Sequence, residues 1–222
     1  MINFKEVSKN PQILEYINQT EKTLAALEYT DHGIRHCELV AKRAKDIGKS
    51  VGLTPREQEL ASIAGFCHDM GNFLGRSYHN YMGALLFSQT FKKEFEPKEL
   101  VEIMQAISSH DERKADMILV SPVAAAVVLA DTSDVSKARV LTKSIEKIRE
   151  DIHDRVNYAT ESTRLTINKE NKKITLTLKI DTNFVPIMEY FEIFTERMVF
   201  CRKAAQYLGY NFGLVINKFK LL

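Results

Sequence analysis

Cysteine is scarce. The 222-residue chain has three, Cys37, Cys67 and Cys201, an odd number with no paired spacing. That count argues against a disulfide framework and for a reducing, cytoplasmic compartment. A charge of one sign is also missing. Lysine and arginine number 31 against 29 aspartates and glutamates, a net charge of +2. There is thus no basic excess of the kind a dedicated nucleic-acid binder carries. Long hydrophobic runs are absent too. The longest uncharged stretch, between Asp116 and Asp131, falls short of the roughly 20 apolar residues a spanning helix needs. The opening Met-Ile-Asn-Phe-Lys-Glu lacks the basic-then-apolar order of a signal peptide. Neither internal repeats nor low-complexity segments are visible. At 45% hydrophobic and 27% charged residues the mixture is globular, and a chain this long buries a sizeable core without disulfides. The expectation is a soluble intracellular protein with no membrane partner.

What is present is helical periodicity. Apolar residues at three- and four-residue steps predict a helix over about Pro11–Leu27 (Ile13, Leu14, Ile17, Leu24) and another over His36–Val51 (Val40, Ala41, Ala44, Ile47). Thr54-Pro55-Arg56-Glu57 combines a cap, a first-turn proline and a capping-box glutamate. It predicts a helix running to His68-Asp69, where Gly71 can stop it. Further helices are predicted near His79–Lys93, Pro97–His110 and Pro122–Thr132, then a long one over Ser136–Tyr158. After that the period falls to two. Thr163, Leu165 and Ile167, and then Ile174, Leu176, Leu178 and Ile180, alternate with polar neighbours on either side of Asn168–Asn171, which reads as a β-hairpin. A helix over Phe184–Leu208 and a strand from Phe212 follow. The fold class is mainly α: a helical domain over residues 1–160 and a small β-β-α-β appendage over 161–222. The last strand either leaves an open edge, through which two copies could pair as a homodimer, or folds back over its helix.

Charged residues stand at the ends of the most apolar helices. His68-Asp69 closes the uncharged stretch Leu60–Cys67, and Asp131 closes Pro122–Ala130. Helices that apolar are buried on most sides, and an ionised carboxylate at their ends costs several kcal/mol unless something compensates it. A helix cap, an arginine or a metal ion would serve. Two such aspartates, with histidines also opening or closing helices, favour a metal site.

His36 with Val40-Ala41 behind it, then His68-Asp69, then Leu129-Ala130-Asp131, resembles the HD superfamily of metal-dependent phosphohydrolases. The shared pattern is a histidine on an early helix, an adjacent His-Asp pair and a distant aspartate after an apolar run. The resemblance covers about residues 30–140. It implies an HD-domain helical bundle with ligands converging from separate helices, and it does not reach the β-containing tail. His79, four before Gly83, resembles the third histidine of binuclear members, and His110 the fourth. Carried across on those matches, His36, His68, Asp69 and Asp131 hold one metal, and Asp69 bridges to a second held by His79 and His110. Without the resemblance, His79 reads as an exposed loop residue and His110 as a helix end. The implied cofactor is a divalent transition metal, one ion or two. Iron, manganese or zinc suit imidazole and carboxylate, with nickel, cobalt and magnesium as further candidates.

His32, four before His36, resembles the proton donor of the cyclic-nucleotide phosphodiesterase branch; otherwise it is a first-turn residue with a structural hydrogen bond. Arg35, Arg76, Arg113 and Lys114 are candidates to grip phosphate, or else solvated surface charges. The chain departs from the family at Asn72, where many members carry lysine. It also departs at Ser109–Arg113, which lacks the Gly-Tyr-Pro signature of the cyclic-di-GMP subgroup. Asp134 is expected to cap the following helix, Cys37 and Cys67 to be buried and inert, and His153 to have no role. The implied activity is hydrolysis of a small phosphoester or nucleotide by metal-activated water, with Asp69 and His32 as catalytic residues. The alternatives are a di-iron HD-type oxygenase and a nucleotide-binding regulatory module without turnover.

Overall fold

A computed structural model describes residues 2–111 and 119–222. Arg113 and Lys114, two of the candidate phosphate contacts, lie outside the described residues. Among the described residues the chain has ten α-helices and one four-stranded sheet, with every strand in the C-terminal part. It divides into two compact units, Met1–Asp131 and Thr132–Leu222. The change from helix to strand falls later, between Ala159 and Thr160.

The first unit contains α1 (Phe4–Val7), α2 (Pro11–Ala26), α3 (Ile34–Val51) and α4 (Pro55–Cys67). A 3₁₀ turn (Met70–Leu74), α5 (His79–Phe91), α6 (Pro97–Ser108) and α7 (Pro122–Thr132, its last residue opening the second unit) follow. Helix starts obey local chemistry. Thr54 and Glu57 form the expected capping box on α4, Asn10 takes the Gln12 and Ile13 amides ahead of Pro11, and Ser121 Oγ accepts from Ala124 N at 3.1 Å. The predicted face of α3 (Val40, Ala41, Ala44, Ile47) is buried. It packs closely on α4, where a Cβ on Gly65 would stand 3.2 Å from the Ala41 backbone. From Leu60 to Cys67 α4 is buried on every side, and Val123–Ala130 of α7 have no exposed surface at all. Each large aliphatic side chain buried this way contributes about 1.5–3 kcal/mol.

Gly71 does not stop α4, contrary to the expectation. The helix already ends at Cys67, and Gly71 sits inside the 3₁₀ turn, where a Cβ would lie 2.1 Å from the His79 carbonyl oxygen and 2.6 Å from Gly83 N. Glycine is needed there because the backbone of α5 runs almost against it.

In the second unit the single long helix expected over Ser136–Tyr158 is broken into a 3₁₀ turn (Lys137–Arg139), α8 (Ile145–Glu150) and α9 (Ile152–Ala159). Ser144 and Asp151 are the cause. Both adopt extended backbone, and their side chains accept the amides of Lys147 and Asp154, so each starts a new helix instead of continuing one. Asp134 is not the expected cap. It is buried and faces the buried Arg139 guanidinium at 3.5 Å, while Ser136 occupies the cap position of the 3₁₀ turn. The strands β1 (Thr160–Asn168) and β2 (Lys173–Ile180) form the expected antiparallel hairpin, with Leu165 opposite Leu176 and Ile167 opposite Ile174. Ile174, Leu176, Leu178 and Ile180 are all buried. After α10 (Ile187–Tyr207), β3 (Asn211–Ile216) returns parallel to β2. The chain then reverses through Asn217 and Lys218, both at positive φ, into the two-residue β4 (Phe219–Lys220). The order is β1-β2-β3-β4, so β3 is paired on both sides and the sheet edges are β1 and the short β4. All three cysteines are buried, and none forms a disulfide. No helix among the described residues is long and apolar enough to cross a membrane.

Candidate metal centre

The first unit brings together six side chains that the sequence separates by almost a hundred residues. His36 stands in the first turn of α3, His68 caps the end of α4 with Asp69 next to it, and His79 opens α5. His110 lies just beyond α6, and Asp131 in the last turn of α7. All are buried except Asp131, whose side chain is 13% exposed. The turn carrying Asp69 is pinned from α2. Thr20 Oγ1 donates to the Met70 carbonyl and accepts from Phe73 N, both at 3.2 Å. The Asn80 amide donates to the Ser108 carbonyl and ties α5 to the end of α6.

Asp69 divides the cluster in two. Its Oδ2 lies 3.0 Å from His68 Nε2 and 3.5 Å from His36 Nε2, and the same two nitrogens stand 3.6 and 3.2 Å from Asp131 Oδ1. Its Oδ1 lies 3.3 Å from His79 Nε2 and 3.4 Å from His110 Nε2. The Nε2 atoms of His36 and His68 are 3.2 Å apart, and those of His79 and His110 are 3.1 Å apart. Two trios, His36–His68–Asp69 and Asp69–His79–His110, can each hold a metal ion.

The tautomers explain why. His68, His79 and His110 each direct Nδ1 at the carbonyl oxygen three residues earlier, on Gly65, Arg76 and Ile107, at 2.8, 2.9 and 2.7 Å. A carbonyl only accepts, so Nδ1 carries a proton, and whenever the ring is neutral its lone pair is at Nε2. In the second trio two imidazole nitrogens and a carboxylate oxygen converge, with the Arg76 guanidinium on His79 Nε2 and the Asn72 amide on Asp69 Oδ1 at its edge. A cation between the three atoms would be held by all of them. Ligands about 2.1 Å from a metal stand about 3.0–3.4 Å apart at octahedral to tetrahedral angles, which is the spacing seen. The backbone bonds at Nδ1 also orient the rings, as partners of metal-bound histidines do. The donors fit a divalent transition metal.

Electrostatics point the same way. Burial pushes the His68 pKa down, but the Asp69 and Asp131 carboxylates outweigh it and carry it up to about 10. Burial also opposes ionisation of Asp69 and Asp131, yet the facing histidines hold both well below 3.8. His79 is held below 6.5 by burial, reinforced by His110 and Arg76 against the pull of Asp69. Positive charge is thus favoured around His68, between the two carboxylates.

Of the candidate phosphate contacts among the described residues, Arg76 reaches the cluster. Its Nη1 donates to Asn72 Oδ1 at 2.9 Å and stands 3.3 Å from His79 Nε2 and 3.9 Å from Asp69 Oδ1, while Nη2 is 3.5 Å from Asp111 Oδ2. Arg35 instead donates to Asp31, whose other oxygen accepts from Gly33 N at 2.8 Å and orders the turn into α3. His32 is buried in that turn, with Nδ1 on the Thr30 carbonyl and its ring centroid 5.8 Å from that of His36. His153 is exposed. Two residues at the cluster escaped sequence reading as participants. Asp111 adjoins His110, and Asn72 was visible only as a departure from a pattern.

Residues 33–160 match the family model of the HD domain, more than half of the chain. The chain belongs to the HD domain family. That superfamily is one of metal-dependent hydrolases, generally phosphohydrolases, whose members bind divalent metals and act on small phosphoesters. No curated protein matches the chain.

Proposed function

We propose that the chain is a metal-dependent phosphohydrolase of a small phosphoester or nucleotide, with residues 1–160 as its working domain and 161–222 as an appendage. The observation that carries this reading is the shared carboxylate: one oxygen of Asp69 faces each of two buried histidine pairs. On this reading His36, His68, Asp69 and Asp131 hold one ion, and Asp69, His79 and His110 hold a second, iron, manganese or zinc by donor type. Bound there, such ions supply a nucleophile at neutral pH and neutralise charge on phosphoryl oxygens.

The chain's own residues complete the site. Asp69 orients both halves. Arg76, whose guanidinium lies at the second trio, offers paired donors to phosphate oxygens, with Arg35 further out beside Asp31. His32 keeps Nδ1 on the Thr30 carbonyl, so Nε2 is the atom that would deliver a proton to a departing alkoxide.

Metal analysis of protein purified without added metal, followed by a phosphoester panel on the reloaded chain, tests the reading. The expected result is two bound ions and metal-dependent hydrolysis. Oxygen consumption by the iron form without hydrolysis would replace it with an oxygenase, and tight nucleotide binding without turnover with a regulatory module. His32→Ala is expected to keep both ions and lose about 10²–10⁴-fold on substrates with poor leaving groups. Activated aryl esters should suffer far less. An equal loss on both substrates would remove His32 from the proton-donor role.

A further inference from the structure

Asn72 has no exposed surface and uses every polar atom of its amide. Nδ2 donates to the Asp69 carbonyl and to Asp69 Oδ1, both at 2.9 Å, and Oδ1 accepts from Arg76 Nη1 at 2.9 Å. A guanidinium can only donate, so Arg76 can be met only by the amide oxygen. Arg76 therefore sets which way the amide points, and both of its N–H groups fall on Asp69.

The amide treats the two carboxylate oxygens differently. It bonds Oδ1, which faces His79 and His110, and not Oδ2, which faces His36 and His68. The Cβ–Cγ torsion of an aspartate is broad and two-fold, so its own preferences do not hold one oxygen toward one trio. The same amide also holds Nη1 of Arg76, which is within hydrogen-bond distance of His79 Nε2 at 3.3 Å. Released from Asn72, the guanidinium could close further on that nitrogen and compete for the second trio.

We infer that Asn72 is a positioning residue that fixes Asp69 Oδ1 and Arg76 relative to each other, and so sets the metal affinity of the His79–His110 trio without setting that of the His36–His68 trio. The inference rests on the metal-dependent reading above.

Asn72→Leu keeps the branched side-chain skeleton and removes all three hydrogen bonds. Metal-stripped parent and variant are titrated with manganese(II) by calorimetry, and the loaded proteins are compared by electron paramagnetic resonance. The parent should show two binding steps and an exchange-coupled pair. The variant should keep the first step, weaken the second by about 10–100-fold, and give isolated-ion spectra at equal loading. Asn72→Ala, which removes the same bonds without bulk, carries the test should the leucine variant fail to fold. An equal fall in both steps, or no change in either, would overturn the role of Asn72 while leaving the metal site standing. A parent chain that takes up no ion would overturn both.

Discussion

Asp131→Ala discriminates most sharply between a metal centre and a buried polar cluster. The carboxylate stands 3.2 Å from His36 Nε2 and 3.6 Å from His68 Nε2 with 13% of its side chain exposed, so water screens it little. At an effective dielectric of about 20, unit charges about 4 Å apart attract by about 4 kcal/mol, and a divalent ion doubles that figure. Desolvation of the carboxylate offsets roughly half, leaving about 3–5 kcal/mol. At about 1.4 kcal/mol per tenfold, the first trio should lose about 10²–10⁴ in affinity. Asp131 faces His36 and His68, the histidines of the first trio and not those of the second, so the second trio should bind as before. Metal-stripped parent and variant titrated against a chelator of known affinity would read both numbers. Activity should vanish with the first ion. Unchanged affinity and stoichiometry, with only the melting temperature lowered, would refute the reasoning and make Asp131 a structural residue.

Acidity should move metal loading in a defined direction. His68 is raised from 6.5 to about 10 in the metal-free fold, so between those values the folded chain binds more protons than the unfolded one. The stability this contributes is complete below about 6.5 and is lost as the pH rises toward 10. Metal binding needs the neutral ring, so the metal-induced rise in melting temperature should grow across the same window, and a rise that stays constant from pH 6.5 to 9 would contradict it. Gly71→Ala should cost about 1–3 kcal/mol or more by overpacking, because its Cβ meets the His79 carbonyl and Gly83 N. Thermal unfolding and metal content should fall together, since the displaced strand of backbone carries His79.

Local chemistry made much of the fold legible in advance. A capping box needs only four consecutive residues, so Thr54–Glu57 announced the start of α4. Alternation over Ile174–Ile180 announced a half-buried strand, because side chains on a strand point to opposite faces whatever lies around them. The ligand residues were legible as types: carboxylates ending two helices too apolar to leave them unpartnered. Equally local chemistry was missed at Ser144 and Asp151, where capping competes with a helical pattern on nearly even terms and the break shows only in the backbone.

The sequence by itself thus determined where most elements begin, which faces they bury and which side chains could bind a cation, since these follow from neighbours three or four residues away. Only the tertiary structure decided how Asp69 shares its two oxygens, that Gly71 is needed for α5 to pass, that Asp134 answers Arg139 instead of capping, and that Asn72 latches Arg76. Those facts depend on distances of 2–4 Å set by the path of the backbone between elements, even where the partners, such as Asp134 and Arg139 or Asn72 and Arg76, are only four or five residues apart. No periodicity encodes such a distance, because it is set by how whole helices pack.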